Sequence, residues 1–279
     1  MRTVVVAPRA TIPPHSLIRA AVTNVDGETG WEKGLTYAPE TPGGYRAFTR
    51  CSDAEYTDLP DGPTPLVDYE PWELLIEHPC DSTFGFDRVG RDEELRRALD
   101  ATESYAIARE LWAGDLTQAA ADAGDLTADE RNLALVIGPE VLNAGTPVPA
   151  RRALGLIEAA VGDALRGQQA YLHTGRETQP ILRDLYRDGN LLTTRLGNLV
   201  VADAGYPGTP PEGTAAADGI GWLYATGTVV VRRSTVFAPD ENSAAIDTRT
   251  NRVLLRTGRV VAATFDRSAH FAIPVDLTA

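Results

Sequence analysis

The fold of this chain is decided by residues 91–112, RDEELRRALDATESYAIARELW. The stretch contains no Gly or Pro and consists mainly of residues that favour helices. Leu95, Leu99 and Ala106 recur at helical spacing and form one apolar stripe. The pattern predicts a single helix that is buried along a broad face and is about 33 Å long.

A second set of residues indicates how wide the buried face is and where the helix stops. Three side chains spaced by seven form a further stripe: Ala98, Tyr105 and Trp112. Glu93 precedes Arg97 by four positions, which is the spacing of an ion pair on the exposed face of a helix. Gly114 is the predicted stop, because glycine readily adopts the left-handed conformation that follows a helix.

Residues 1–90 have a different texture from the helix that follows. Pro and Gly interrupt them repeatedly, as in residues 60–63, PDGP, and this argues against continuous helix. Aromatic side chains are nevertheless dense enough to indicate packing against another surface. The prominent ones are Trp31, Tyr45, Phe48, Tyr69 and Trp72. Two interpretations stay open: an extended arm and loop that lie on neighbouring subunits, or an irregular region packed on its own domain.

The remainder of the chain predicts two more helices and then a set of strands. The helices are expected at residues 150–166 and 177–187, with a short strand at residues 170–173 between them. The strands expected after them cover residues 191–201, 222–226, 228–237, 252–265 and 269–277. Early helices followed by antiparallel strands predict an α+β fold rather than a doubly wound parallel sheet.

Composition excludes several classes of protein. The 279 residues are 43% hydrophobic, and 26 basic against 39 acidic residues give a net charge of −13. This balance argues against a basic surface that grips nucleic acid. No apolar run approaches the length of a membrane helix, and residues 1–8 lack a secretory core, so we expect a protein that stays in the cytoplasm where it is made. Cys51 and Cys80 are expected to be reduced, although a disulfide between them stays open.

A search for catalytic or ligand-binding motifs finds none. The chain has no phosphate-binding loop, dinucleotide loop, nucleophile elbow or metalloprotease motif, and its four histidines are isolated in sequence. We therefore expect no catalytic residues, no cofactor and no metal. An enzyme remains an alternative, with a site assembled from scattered residues such as His173, Asp203 and Arg195.

Four landmarks occur in a fixed order: a Pro/Gly-rich extended region, a long helix, a central α/β part and a terminal set of strands. The local text that accompanies them comprises residues 68–75, DYEPWELL, residues 80–85, CDSTFG, residues 194–201, TRLGNLVV, and residues 222–227, WLYATG. This order and text resemble tailed-phage major capsid proteins of the Hong Kong 97 type (Johnson fold), and are similar to head proteins of actinobacterial phages. The resemblance covers nearly the whole chain, although no single motif is diagnostic.

The resemblance implies a division of the chain. It implies an N-terminal arm at residues 1–30, an extended loop region at 31–90, a peripheral (P) domain with the spine helix at 91–149, a mainly axial (A) domain at 150–220, and closing strands at 221–279. Aromatic residues of the arm and loop would then contact neighbouring subunits: Trp31, Tyr45, Phe48, Tyr69 and Trp72. The loop at residues 205–219 would be a candidate for the surface around five- and six-fold axes.

The resemblance also implies a function and partners. The chain would assemble with copies of itself, as pentamers and hexamers, into an icosahedral virion shell that encloses DNA, and scaffold, portal or decoration proteins would be further partners. Some family members form a covalent Lys–Asn cross-link, but Lys33 is the only lysine here and precedes the presumed loop, so none is expected. An encapsulin-like compartment and another head or tail protein of a virion are the alternatives.

Overall fold

The computed structural model describes residues 14–23, 29–37, 45–48, 55–58, 66–80, 88–124, 132–213, 215–237, 245–247 and 252–279. Within these ranges the helices are α1 (Leu17–Ala20), α2 (Arg88–Ala113), α3 (Asp115–Ala123) and α4 (Ala150–Ala164). Short 3-10 turns occur at Trp31–Lys33, Leu142–Gly145, Gln179–Ile181 and Pro211–Gly213.

The strands fall into an early and a late group. The early strands are β1 (Val22–Thr23), β2 (Leu35–Tyr37), β3 (Tyr45–Phe48), β4 (Glu55–Asp58), β5 (Val67–Tyr69), β6 (Trp72–Cys80), β7 (Glu140–Val141) and β8 (Val148–Pro149). The late strands are β9 (Tyr171–Thr174), β10 (Tyr186–Asp188), β11 (Leu191–Thr193), β12 (Leu199–Val201), β13 (Ile220–Thr226), β14 (Val229–Arg233), β15 (Ala245–Asp247), β16 (Arg252–Phe265) and β17 (His270–Asp276).

Helix α2 is the long helix that residues 91–112 predict, and it extends to 26 residues. Leu95, Leu99 and Trp112 of the predicted stripes are buried, but Tyr105 is 48% exposed. The buried face also includes Ile107, Ala108 and Leu111, which are at most 1% exposed. The predicted ion pair between Glu93 and Arg97 is present at 3.2 Å.

The first sheet has the long strand β16 at its centre. Strand β6 pairs with it antiparallel from Trp72 opposite Val261 to Cys80 opposite Val253. On the other edge of β16 lie β14 and β15, and β1 adds a parallel edge to β14. Helix α2 packs against β16 and β6. The helix therefore packs on a surface formed by one strand that precedes it in sequence and one strand from near the end of the chain.

Two short ladders lie between β1 and β6 in sequence. Strands β2 and β5 pair antiparallel, with Leu35 opposite Tyr69, and β3 pairs with β4 in the same sense. Because β3 and β4 are nested between β2 and β5 in sequence, the two ladders follow the pattern of a β-ribbon. We call strands β2, β3, β4 and β5 together the ribbon. The side chains of β3 and β4 lie outside the described residues, so Tyr45 and Phe48 are placed only by their backbone.

The second sheet has eight strands in the order β10-β11-β12-β9-β13-β17-β7, with β8 also on β17. The side chains of successive residues in each strand point to opposite faces of the sheet. In β9, Tyr171 joins the core that contains α2, whereas Leu172 joins the core that contains α4. In β13, Tyr224 and Leu223 divide in the same way. The sheet is therefore covered on both faces.

Most of the predicted elements after α2 are confirmed, and one is wrong. Residues 191–201, where the sequence predicts strand broken by Gly197, form two antiparallel strands, β11 and β12. Helix α4 and strands β9, β13, β14, β16 and β17 occur within a few residues of their predicted places. The predicted helix at residues 177–187 is absent, since Gln179–Ile181 is only a 3-10 turn and Tyr186–Asp188 is strand β10. Pro180 and the turn at Gly189–Asn190 explain this, because a tight hairpin with β11 pairs the backbone instead.

The described part of the loop at residues 205–219 is tied to its own subunit. The Trp112 indole donates to the Thr209 hydroxyl at 2.9 Å, and the Tyr224 hydroxyl donates to the Thr209 carbonyl at 2.9 Å. Gly205 lies directly against α2, where a Cβ atom would meet backbone atoms of Tyr105 and Arg109. Residues 205–209 thus join α2 to the second sheet. None of the helices that the structure describes is both long and apolar enough to cross a membrane.

Candidate assembly surfaces

The base of the ribbon is fixed to the end of β16. Strand β6 stops pairing with β16 at Val261, so the same edge of β16 is free of β6 beyond that residue. There the Tyr37 hydroxyl donates to the Phe265 carbonyl at 2.9 Å, and the Tyr69 hydroxyl accepts from the Ala263 amide at 3.3 Å. The two tyrosine hydroxyls therefore form hydrogen bonds with backbone groups of β16 that lie beyond the end of its pairing with β6.

Tyr37 and Tyr69 are both shielded at this base. Tyr69 is only 3% exposed and belongs to the core of its own subunit, so little of its side chain is available to a neighbour. Burial is also the main reason that the pKa of Tyr37 rises to about 12. Both hydroxyls therefore stay protonated and neutral across the physiological range.

A side-chain amide also anchors the chain where the ribbon leads into β6. The Asn132 side chain accepts from the Glu70 amide at 2.7 Å and donates to the Glu70 carbonyl at 2.8 Å. Asn132 is buried, and its amide group needs hydrogen-bond partners there. Its two bonds to the Glu70 backbone resemble those that a neighbouring strand would form.

The remaining aromatic candidates have different surroundings. Trp72 is half-buried and packs on the core that contains α2. Trp31 lies half-buried in a 3-10 turn that packs near β16. Each tryptophan retains some exposed surface, so contact with a neighbouring subunit stays a prediction for Trp31 and Trp72. Cys51 and the side chain of Cys80 lie outside the described residues. The prediction that these two cysteines are reduced therefore also falls outside them.

The residues of the predicted enzyme alternative are not brought into one open site. His173 is fully buried, and its two ring nitrogens lie 2.9 Å from the Tyr206 hydroxyl and 3.0 Å from the Thr226 hydroxyl. Burial lowers the pKa of His173 to about 3, which leaves the imidazole neutral. Both ring nitrogens are hydrogen-bonded to side chains of the same subunit, so neither is available to exchange a proton with a substrate.

Asp203 and Arg195 have structural partners of their own. The buried Asp203 carboxylate accepts from the Leu17 amide at 2.9 Å and from the Ser104 hydroxyl at 3.1 Å. It thereby joins α1, α2 and the segment after β12. Arg195 is exposed and pairs with Asp184 at 2.9 Å. Among the described residues, no group of His, Cys, Asp and Glu side chains could hold a metal ion.

A buried ionic cluster joins α2 to the first sheet. Glu103 is 3% exposed, and its two carboxylate oxygens lie 3.2 Å from the guanidinium groups of Arg233 and Arg259. This cluster was not predicted from the sequence. Its signal was present, because Glu103 follows Leu95 and Leu99 at four-residue intervals and so falls on their buried stripe.

Exposed apolar side chains occur at two places on the second sheet. Leu196, in the turn between β11 and β12, is 74% exposed, and Tyr186 on the edge strand β10 is 48% exposed. At the opposite edge of the sheet, a pocket of about 420 Å³ is lined by Leu133, Ile137, Phe271 and neighbouring polar residues. These are surfaces of the kind that protein contacts use.

Comparison with known proteins gives a match in structure but not in sequence. No protein-family model matches the chain. No curated protein matches it either. Among solved structures, the capsid of an empty GTA particle aligns with 100% of this chain and 95% of its own, at a TM-score of 0.56 and 12% identity.

Two further solved structures match over the same extent. A chain of Gordonia phage Cozz aligns with 100% of this chain and 91% of its own, at a TM-score of 0.53 and 11% identity. The encapsulin SrpI of Synechococcus elongatus PCC 7942 aligns with 100% of this chain and 94% of its own, at a TM-score of 0.54 and 12% identity. The chain has the Hong Kong 97-type capsid fold. The α+β fold class and the fold family that the sequence predicts are thereby confirmed.

Phage capsids and encapsulins share the Hong Kong 97-type fold, so the fold by itself does not separate these two uses. The identities of 11–12% leave the function to be argued from the chain's own surfaces. The surfaces that this subunit offers are the ribbon with its anchored base and the two edges of the second sheet.

Proposed function

We propose that this chain is the repeating subunit of an icosahedral phage head that encloses DNA. The observation that carries the proposal is the Hong Kong 97-type fold over the whole length of the chain, which the capsid of a GTA particle also has. The net charge of −13 is compatible with a shell that surrounds DNA without a tight basic grip on it.

The subunit would work mechanically. Helix α2 and the first sheet would form a rigid plate, and the ribbon would lie across a neighbouring copy. Each contact can be modest, since a closed shell repeats it many times. We retain the division into an arm (1–30), a loop region (31–90), a P domain (91–149), a mainly A domain (150–220) and closing strands (221–279).

The candidates for the contacts between subunits are Trp31, Tyr45, Phe48 and Trp72. Burial of their exposed apolar surface would contribute roughly 25 cal/mol per Å². Scaffold, portal and decoration proteins are the further partners we propose, with assembly in the host cytoplasm and a final place in the virion. The chain would carry no enzymatic activity of its own.

An encapsulin-like compartment is the second candidate, because the encapsulin SrpI aligns over the full chain at a TM-score of 0.54. The two functions differ in what the shell encloses. A phage head holds DNA, whereas a compartment of this kind holds protein cargo.

The test is to express the full chain in bacteria and examine sedimenting material by negative-stain electron microscopy. Closed shells, or rings of five or six subunits, are the expected result. Nuclease-resistant DNA in particles from infected cells would favour the phage head, and a co-purifying protein cargo would favour the compartment. A stable monomer or dimer in every condition, including co-expression with neighbouring genes, would contradict both.

A further inference from the structure

The ribbon and the first sheet meet at a short joint that belongs to neither of their ladders. The ladder between β2 and β5 ends with Leu35 opposite Tyr69, and the ladder between β6 and β16 begins at Trp72. Glu70 and Pro71 lie between the two ladders in sequence. Because proline has no amide hydrogen, Glu70 supplies the only amide hydrogen of the joint.

The other chain of the ribbon departs from the ladder at the same level. Gly34 would face Glu70 if the ladder between β2 and β5 were one pair longer. Instead, the Gly34 amide donates to the Trp31 carbonyl at 3.2 Å and closes a turn. The φ angle of Gly34 is +119°, in a region that residues with a side chain rarely adopt. The pairing is therefore interrupted in both chains at one level, and this is where the ribbon would turn against the sheet.

The Asn132 side chain supplies the hydrogen bonds that the interrupted ladder lacks. Its oxygen accepts from the Glu70 amide at 2.7 Å, and its nitrogen donates to the Glu70 carbonyl at 2.8 Å. Two bonds to the backbone of one residue fix the orientation of that residue as well as its position. Asn132 is only 2% exposed, so it belongs to the body of the subunit rather than to the ribbon.

Asn132 begins a short segment, residues 132–136, that we call the strut. The Leu135 amide donates to the Leu111 carbonyl near the end of α2 at 2.9 Å. The Leu135 carbonyl accepts from the His270 ring of β17 at 3.0 Å. A single residue of the strut is thus bonded both to the long helix and to the second sheet. Asn132 therefore meets the joint from a support that is independent of the ribbon.

We propose that Asn132 is the positioning residue that sets the direction in which the ribbon leaves the first sheet. The proposal rests on the shell function, in which the ribbon would lie across a neighbouring copy, and it names the residue that aims the ribbon. The tyrosine bonds hold the ribbon base on β16, whereas the Asn132 bonds hold the joint from the strut. Without the bonds from the strut, the ribbon would turn about the joint while its base stays on β16.

The test compares N132A with N198A as a matched control. Asn198 is also buried, and its side-chain oxygen accepts from the Ala170 amide at 2.9 Å within the second sheet. Each variant removes a buried amide group that bonds to the backbone, so both should lower the stability of the subunit to a similar extent. Only N132A should change the direction of the ribbon.

The direction of the ribbon is measured on the unassembled full chain as a distance between two spin labels. The labels are attached at T57C in β4 and at R152C, an exposed position on α4, in the background C51S/C80S. The background should give one narrow distance distribution, N132A should widen it about twofold because the joint is released, and N198A should leave it unchanged. A broad distribution in the background, a narrow one in N132A, or equal widening in N198A would overturn the proposal.

The yield of particles is the second readout, measured by sedimentation and electron microscopy. N132A should lower the yield of rings or shells about tenfold, because ribbons that point in several directions must be ordered when they bind. N198A should assemble normally. Normal assembly of N132A would overturn the positioning role and leave the shell function intact. Failure of the unmodified chain to assemble would contradict the shell function, whereas the label distances still test the joint in the unassembled subunit.

Discussion

The Tyr37 hydroxyl donates to the Phe265 carbonyl at 2.9 Å, across 228 positions of sequence. Together with Tyr69 and Ala263, this contact fixes the base of the ribbon to the end of β16. Its base is positioned by side-chain hydrogen bonds where the ladder between β6 and β16 has stopped.

Y69F should lower the free energy of unfolding by about 1–3 kcal/mol, because the Ala263 amide would be left buried without its acceptor. Y37F should cost about 1 kcal/mol, since Tyr37 is less deeply buried. Urea denaturation of the unassembled subunit measures both. Y186F, at an exposed tyrosine, is the control and should change nothing measurable. Equal stability of all three variants would show that the hydroxyls do not hold the ribbon base.

E103Q should lower the free energy of unfolding by about 3 kcal/mol, because Arg233 and Arg259 would lose the anion between them. E93Q removes a half-exposed helical ion pair and should cost no more than about 0.5 kcal/mol. Urea denaturation again gives the values. If E103Q were as mild as E93Q, the cluster would not be what holds α2 on the first sheet.

G205A should be strongly destabilising, by about 2–3 kcal/mol, because the added Cβ would lie 2.7 Å from the Arg109 nitrogen and closer still to the Tyr105 carbonyl. G155A, in the exposed middle of α4, meets no atom within 4 Å and should stabilise by about 0.5–1 kcal/mol. Thermal unfolding should therefore shift in opposite directions for the two variants. A harmless G205A would mean that the loop can move away from α2.

The free energy of unfolding should fall as the pH drops below about 6.5, because His173 is held neutral in the folded state. Burial holds the pKa of His173 at about 3 in the folded state, whereas the unfolded chain takes up a proton near the ordinary histidine pKa of 6.5. Between these values the unfolded state binds one more proton, so this histidine removes up to about 1.4 kcal/mol per pH unit.

The pH dependence is measured by urea denaturation from pH 7 to pH 4. H173Q should reduce the slope by about one proton relative to the unmodified chain. His270 contributes in the same direction, because burial lowers its pKa to about 4, and its slope should persist in H173Q. A slope that H173Q leaves unchanged would contradict the neutral, buried state of His173.

W72A should abolish shells while the subunit remains folded, if Trp72 contributes its exposed surface to a neighbour. Some loss of stability is also expected, because the indole packs partly on the core that contains α2. Circular dichroism and sedimentation of the same preparation separate the two effects. An unfolded W72A subunit would show instead that Trp72 is an ordinary core residue.

The sequence by itself determined the elements whose signal is local. Residues 91–112 specify α2 through an unbroken run of helix formers, and the pattern around residues 252–265 specifies β16, whose bounds agree with the prediction. The α+β class follows from the order of such elements along the chain, and the capsid fold was implied by the resemblance of that order and its local text to a known family.

Tertiary structure alone decided which surfaces meet. Periodicity could not reveal that Tyr105 is exposed, because the rotation of α2 depends on the sheet beneath it. Nor could it show that residues 177–187 avoid a helix, since β10 is specified by its pairing with β11. The Glu103 cluster and the tyrosine anchors on β16 join residues far apart in sequence. Such contacts depend on the assembled sheets, because no local pattern of residues encodes a neighbour more than a hundred positions away.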